Sequence, residues 1–267
     1  MSSTASTSSE SDICPTHFLT ELTSLDDLSF PTNSSKRIKF TCISASPRNL
    51  LLGTSTGTVY VFSRFATKNR NKLTQVPVHV FTTKDGPVNR LLVSNNEELV
   101  AVGSDSGRVS IAALGQNKQP ANVIHTVAGD ARKPDKVTSL CWSLDSKILY
   151  TGHASGVIHL HQLGVRYVFR PAFEVVASFE GEVVQLDSSG LRLLISTTTA
   201  SHVFDMEEKK SYQVGKKSRN GKMGACFLTS RDVTVVSDGN QFLVAARPNG
   251  RLWESNQAGV VYRSEYF

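Results

Sequence analysis

The chain has 267 residues, of which 39% are apolar, enough to bury a sizeable core. Its formal net charge is +6 at pH 7, so an anionic membrane or a nucleic acid has to be weighed as a partner from where the charge sits. No run of eighteen or more apolar residues occurs, which excludes a membrane-spanning helix from the reading.

Residues 1–12 are rich in Ser and Thr and read as a disordered tail, with neither the basic start nor the apolar stretch of a secretory signal. Residues 13–35 read as a short helix and a loop. Phe18, Leu22, Leu25 and Leu28 recur at steps of four, three and three, one face of a helix following Pro15 that would cap the surface of what comes next. Pro31 to Ser35 form the loop.

Residues 36–267 read as a series of β-blades. Short β-branched runs bounded by Gly, Ser and Asp are strands joined by hairpins. Blade one covers residues 36–83, with an outer strand at 78–81. Blade two starts at Val88 and ends on 123–127. Blade three starts at Val137, turns at 143–146 and 152–156, and ends on 173–179. Glycines at 53, 103 and 152, and again at 57, 107 and 156, recur at steps of 50 and 49 residues. Val59, Val109 and Ile158 each follow the second glycine by two residues. Both glycines of each pair are read as supplying the positive φ of a tight return. Four-strand units at this period predict an all-β, WD-repeat-like β-propeller with one blade per repeat. The polar excursions between third and fourth strands are expected on one rim.

Blade four is degenerate. Its strands are expected at 182–186, 191–197 and 201–206, with a turn at 187–190. The glycines of its second turn are gone, so a looser turn is expected there. Blade five is expected at 222–228, 242–246 and 251–255, with turns at 237–240 and 247–250 and an outer strand at 260–267. Five blades are recognisable. Either they close tightly or the ring is incomplete and exposes an apolar blade face that would make the chain self-associate.

Cys14, Cys42, Cys141 and Cys226 lack C-x-x-C spacing, which argues against zinc. Cys42 and Cys141 both stand 11 residues ahead of their blade's first glycine, and so read as buried free thiols at one structural position, in a reducing cytosolic compartment. Trp142 and Trp253 read as packing between blades. His159 and His161 share one side of a strand. No Cys, His or Asp group at ligand spacing accompanies them, so they read as packing between blades or near the rim rather than as half of a metal site. Neither a nucleotide-binding loop nor G-x-S-x-G occurs, and no carboxylate pair is placed for acid–base work. The expectation is a non-enzyme with no cofactor, metal or small-molecule substrate. The densest basic group is Lys209, Lys210, Lys216, Lys217, Arg219 and Lys222. It reads first as a solvated inter-strand loop, and in its functional reading as a contact with an anionic membrane surface. The other basic residues are dispersed, which counts against nucleic acid.

No blade ends in Trp-Asp: the corresponding pairs are Phe62-Ser63, Ala112-Ala113 and His161-Gln162. A more specific order of marks appears in blades four and five. Val183-Val184-Gln185-Leu186-Asp187 is followed by Arg192-Leu193-Leu194-Ile195-Ser196, then Gly224-Ala225-Cys226-Phe227, then Ala246-Arg247-Pro248 with Arg251, Trp253 and Glu254. This order resembles the N-terminal propeller of the family of the fifth Hermansky–Pudlak syndrome protein, with the second tectonin β-propeller repeat-containing protein as a relative. Val137 to Trp142 fits both. The resemblance runs from Cys14 onwards. Asn249-Gly250 departs from the family's glycine-led turn after Arg-Pro, and nothing matches the helical C-terminal region of its longer members. The resemblance implies a non-catalytic protein-interaction scaffold in traffic from endosomes to lysosomes or lysosome-related organelles such as pigment granules. On the tectonin side it implies an autophagy or secretory-pathway adaptor. Its implied partners are protein subunits of a trafficking complex, and its implied place is the cytoplasm, peripheral on endosomal membranes.

Overall fold

The computed structural model describes residues 38–64, 76–115, 120–127, 133–164, 173–228 and 242–266. The expected tail, helix and loop at 1–35, most of each polar excursion and the turn at 237–240 lie outside these residues.

Twenty strands among the described residues form five four-stranded antiparallel sheets, each a meander. Blade one is β1 (Phe40–Ala45), β2 (Asn49–Thr54), β3 (Thr58–Ser63) and β4 (His79–Thr82). Blade two is β5 (Val88–Val93), β6 (Leu99–Ser104), β7 (Val109–Ala113) and β8 (Asn122–Val127). Blade three is β9 (Val137–Trp142), β10 (Ile148–His153), β11 (Val157–Gln162) and β12 (Glu174–Ser178). Blade four is β13 (Val183–Ser189), β14 (Arg192–Thr197), β15 (Ser201–Asp205) and β16 (Lys210–Gln213). Blade five is β17 (Ala225–Phe227), β18 (Leu243–Arg247), β19 (Arg251–Ser255) and β20 (Val261–Tyr266).

The inner strands pack in series, β1 on β5, β5 on β9, β9 on β13 and β13 on β17. Between each pair of blades lies an apolar layer, because side chains alternate across a strand and both faces of an interior blade are covered. Leu51, Val59 and Val61 of blade one meet Val88, Leu91 and Val100 of blade two. Ala101, Val109 and Ile111 meet Val137, Trp142 and Leu149. Tyr150 and Ile158 meet Val183, Leu186 and Leu193, and Leu194 and Val203 meet Ala225, Phe227 and Leu243. Among the described residues, no junction of comparable extent joins the strands of blade five to those of blade one. The fold is therefore an all-β, WD-repeat-like propeller of five blades in an incomplete ring.

The two glycines of each repeat work differently. Gly57, Gly107 and Gly156 take positive φ, as the turn requires. Gly53, Gly103 and Gly152 lie within strands and do not. They are small because the next blade's first valine fills their space: a Cβ on Gly103 would stand 2.6 Å from Val137 Cγ1, and one on Gly152 would stand 2.4 Å from Val183 Cγ1.

Three further expectations are corrected. Cys42 pairs with Gly53, whereas Gly152 pairs with Ser139 and Cys141 lies two residues further along, opposite Tyr150. Four residues separate Ala45 from Leu50, but six separate Trp142 from Leu149, so equal spacing in sequence hides a register difference. In blade four, strand β13 runs on to Ser189 and the return is Gly190-Leu191 alone. Its second turn is shorter, not looser: four residues separate Ser196 from Ser201, against five between Gly53 and Val59.

Candidate interaction surfaces

The polar residues at the blade junctions act mainly as staples. Asp85, ahead of β5, is buried; its Oδ2 accepts the Ser110 hydroxyl at 2.6 Å and its Oδ1 faces Arg108 Nη1 at 3.4 Å. Asp135 stands 50 residues later, ahead of β9, and accepts both the backbone N–H and the hydroxyl of Ser155. Sequence reasoning passed over both, although their step equals that of Gly53 and Gly103. Trp142 Nε1 donates to the Leu92 carbonyl of the preceding blade at 3.2 Å, the inter-blade packing expected of it. The residues that carry the family resemblance do the same work between blades four and five. Asp187 Oδ2 accepts the Phe227 N–H at 2.7 Å. Trp253 reaches Gly215 of blade four, with the Arg247 guanidinium 4.1 Å above its ring.

The basic group is not one surface. Arg219 is buried and belongs to the interior. Its Nη1 donates to the Ala246 carbonyl at 2.6 Å, and its Nη2 to the Met223 carbonyl at 2.7 Å, the Ser201 hydroxyl at 3.0 Å and the Thr197 carbonyl at 3.1 Å. Burial, then the charge of Arg247, lowers its pKa to about 10. The expected loop includes strand β16, with Lys209 and Lys210 at its start and Lys216 and Lys217 beyond its end. At ~3.3 Å per strand residue this puts the two pairs towards opposite rims. All four and Lys222 are exposed. Lys210 pairs with Glu208 at 3.3 Å and Lys222 with Glu182 at 2.8 Å. The concentration of charge needed for a strong anionic contact is thereby reduced, with Lys216 and Lys217 the principal exposed pair.

His159 and His161 do come together, with His153 and with His125 of blade two. Ring centroids are 4.4 Å apart for His153–His159 and 6.2 Å for His125–His161, and Phe173 stacks on His159 at 4.1 Å. His153 Nδ1 lies 3.0 Å from the Asp135 carbonyl and must donate to it, so its Nε2 accepts the Thr151 hydroxyl. The Thr151 oxygen then accepts from His161 Nε2–H, 3.1 Å away. Burial first, then neighbouring imidazoles, lowers His161 to about 3; burial, then His153, lowers His159 to about 4. These are neutral packing histidines between blades two and three. Among the described residues no group of three or more His, Cys, Asp or Glu is arranged to hold a metal.

A rim cavity of about 370 Å³ opens between blades one and two. The β1–β2 and β5–β6 hairpins supply Arg48, Asn49, Asn96, Glu97 and Glu98; Ser63 and His79 flank the connection between β3 and β4. Arg48 is held by Glu97 through its backbone N–H at 3.0 Å and its Nε at 3.2 Å. Glu98 is exposed beside it and is held by Asn96 Nδ2 at 3.0 Å. Burial lowers the pKa of His79. The cavity presents hydrogen-bonding groups from two blades on a loop rim, which suits a polar peptide or loop of a partner.

Comparison with known proteins gives a family model, HPS5 beta-propeller, matching residues 19–267. The chain is 30% identical over 262 residues to the BLOC-2 complex member HPS5 of Homo sapiens, covering 94% of this chain and 22% of that protein. It is 28% identical over 241 residues to the BLOC-2 complex member HPS5 homolog of Anopheles gambiae, covering 89% of this chain and 28% of that protein. It is 28% identical over 263 residues to the human tectonin beta-propeller repeat-containing protein 2, covering 94% and 17%. The chain thus spans under a third of the length of these relatives. A chain in the crystal structure of the mitotic checkpoint complex superposes with a TM-score of 0.61 at 13% identity, over 86% of this chain and 66% of that one, a likeness of fold alone.

Proposed function

Because the chain belongs to the HPS5 beta-propeller family, we propose that it is a non-catalytic docking module of a membrane-trafficking complex, used in transport from endosomes to lysosomes or lysosome-related organelles. The observation that carries this is the family match over residues 19–267, with relatives named as members of the BLOC-2 complex. The blade junctions support a rigid scaffold role: Trp142 and Asp187 each bond from one blade to the next. Partner subunits would dock on the rim, with the cavity between blades one and two as the anchoring point. The working place is the cytoplasm, peripheral on endosomal membranes. Among the described residues no helix is long and apolar enough to cross a membrane.

Affinity purification of the tagged chain from cells tests this reading. The other BLOC-2 subunits should be recovered, and Glu98→Lys should reduce their yield several-fold. Recovery of chaperones alone would remove the proposal. A second reading, binding to an anionic membrane, is favoured by the exposed pair Lys216 and Lys217. It requires flotation with phosphatidylserine vesicles that falls steeply with salt and is lost on reversing both charges.

A further inference from the structure

Strand alternation sorts the charges of blade five by face. The face towards blade four carries Ala245 and Arg247 from β18, Arg251 and Trp253 from β19, and Ser264 and Tyr266 from β20. Trp253 reaches Gly215 of blade four there. Glu254 and Glu265 stand next in sequence to Trp253 and Tyr266, and so belong to the other face. Arg247 and Arg251 are direct cross-strand partners flanking the hairpin Pro248-Asn249-Gly250. Their Cβ atoms leave the sheet side by side, ~5 Å apart, a placement in which like charges repel.

Rings and carbonyls, not acids, hold these arginines. The Arg247 guanidinium lies 4.1 Å over the Trp253 ring and donates from Nη2 to the Ser218 carbonyl at 2.9 Å. The Arg251 guanidinium lies 4.4 Å over the Tyr266 ring. A ring supports a guanidinium by its flat face and leaves its N–H edge for a planar acceptor. Arg219 is buried beside them, and its Nε has no partner among the described residues. Burial lowers the pKa of Arg247, with no carboxylate opposing it among the described residues. Lys216 and Lys217 are exposed in the connection that carries Ser218. Acids of the same two blades are engaged elsewhere, Glu182 by Lys222 and Glu265 by Arg263. Because the hairpins of a meander alternate between rims, this seam opens on the rim opposite the cavity of blades one and two.

We propose that the seam between blades four and five binds a phosphorylated serine or threonine of a partner protein, gripped by Arg247 and Arg251 with Lys216 and Lys217 at its margin. A phosphate monoester brings close to two negative charges and three acceptor oxygens, which suits two adjacent forks, whereas a carboxylate is filled by one. Elsewhere on this rim basic and acidic groups are mixed: Arg108 faces Asp85, Lys136 pairs with Asp105, and Glu180 is exposed. A bilayer would meet that mixture, while a peptide can reach the seam alone. The site does not depend on which complex the chain serves.

The test uses the full 267-residue chain, immobilised, with two peptide libraries randomised around a central residue, phosphoserine in one and serine in the other. At physiological salt the phosphorylated library should be retained about tenfold better than the other. Arg251→Gln, at an exposed position, should remove most of that retention, and Arg247→Lys should weaken it several-fold by keeping the charge and losing the fork. Lys209→Gln removes the same charge from the opposite rim and should leave it unchanged. Equal retention of the two libraries, or equal losses in Arg251→Gln and Lys209→Gln, would overturn the proposal. Flotation with vesicles containing phosphatidylinositol 4-phosphate, without retention of the phosphorylated library, would overturn it in favour of a membrane. Should Arg247→Lys melt early, Arg251→Gln decides.

Discussion

His161 shows how a polar residue becomes part of an apolar junction. Its Nε2–H is used by Thr151, while its Nδ1 is buried with no partner. Protonation would place a charge there among His125 from β8, His153 from β10 and His159 on its own strand. Among the described residues, Asp135, ahead of β9, opposes this at His153 and His159. In the unfolded chain each imidazole returns to about 6.5. Between that value and the folded values of about 3 and about 4, the unfolded state binds protons that the folded state refuses. Stability is then complete above about pH 6.5 and falls with decreasing pH, by at most ~1.4 kcal/mol per unit for each such group. Thermal melts from pH 7.5 to 4.5 should show that decline, and His161→Gln should flatten it while keeping a donor for Thr151. A variant with the same slope as the parent would remove His161 from the account. Arg219 teaches the complementary lesson: its neighbours in sequence are exposed lysines, and only folding shows that carbonyls from two blades surround it.

At the scale of the strand, the repeat is readable because β-branched residues and glycines recur in phase, while the middle strands of each blade bury consecutive residues because both of their faces are packed. Leu51, Val59 and Val61, and Val100, Ile111 and Leu149, stand in the core, and so do their neighbours Leu52, Tyr60, Ala101, Ala112 and Tyr150 on the other face. What spacing did not reveal is what the glycines of the second strands are for, since a gap filled by another blade leaves no local mark. Blade four carries the contrast: Ser196 replaces the glycine, and the next inner strand is preceded by Gly224 rather than opening on a valine. Gly103→Ala should therefore destabilise the protein by about 1–3 kcal/mol through overpacking against Val137, whose β-branched side chain has little freedom to move. In urea unfolding, adding Val137→Ala should return part of that loss. A neutral Gly103→Ala, or a double variant no better than the sum of the two singles, would show that the gap is not shared. The cysteine register escaped the sequence for a related reason: hairpin lengths differ by two residues between blades one and three, and pairing, not spacing, decides equivalence.

The ring as a whole has two ends, and the structure distinguishes them. On the leading face of blade one, Leu52, Tyr60 and Phe62 form a buried apolar cluster. The trailing face of blade five carries the cross-strand row Cys226, Val244, Glu254 and Arg263, and beside it Leu252 and Glu265. None of these is buried, and Arg263 pairs with Glu265. The large apolar face expected from the sequence is absent from this end among the described residues, because charged pairs occupy the outer half of the sheet. The exposed apolar groups are instead Val260, Tyr262 and Tyr266, in and beside the outer strand. A polar face resists self-association but contributes little burial to its own blade. Blade five also has the shortest inner strand among the described residues, three residues against six or seven in the others, and its described inner strand packs mainly on blade four. Its opening should be the least costly in the molecule, so amides of β18 and β19 should exchange at least tenfold faster than those of β6 and β10. Sedimentation over a range of micromolar concentrations should show a monomer, with the polar end free. Concentration-dependent association that slows exchange in blade five first would show that this end is sticky after all, and uniform protection across all five blades in a monomer would show that the ring closes in solution.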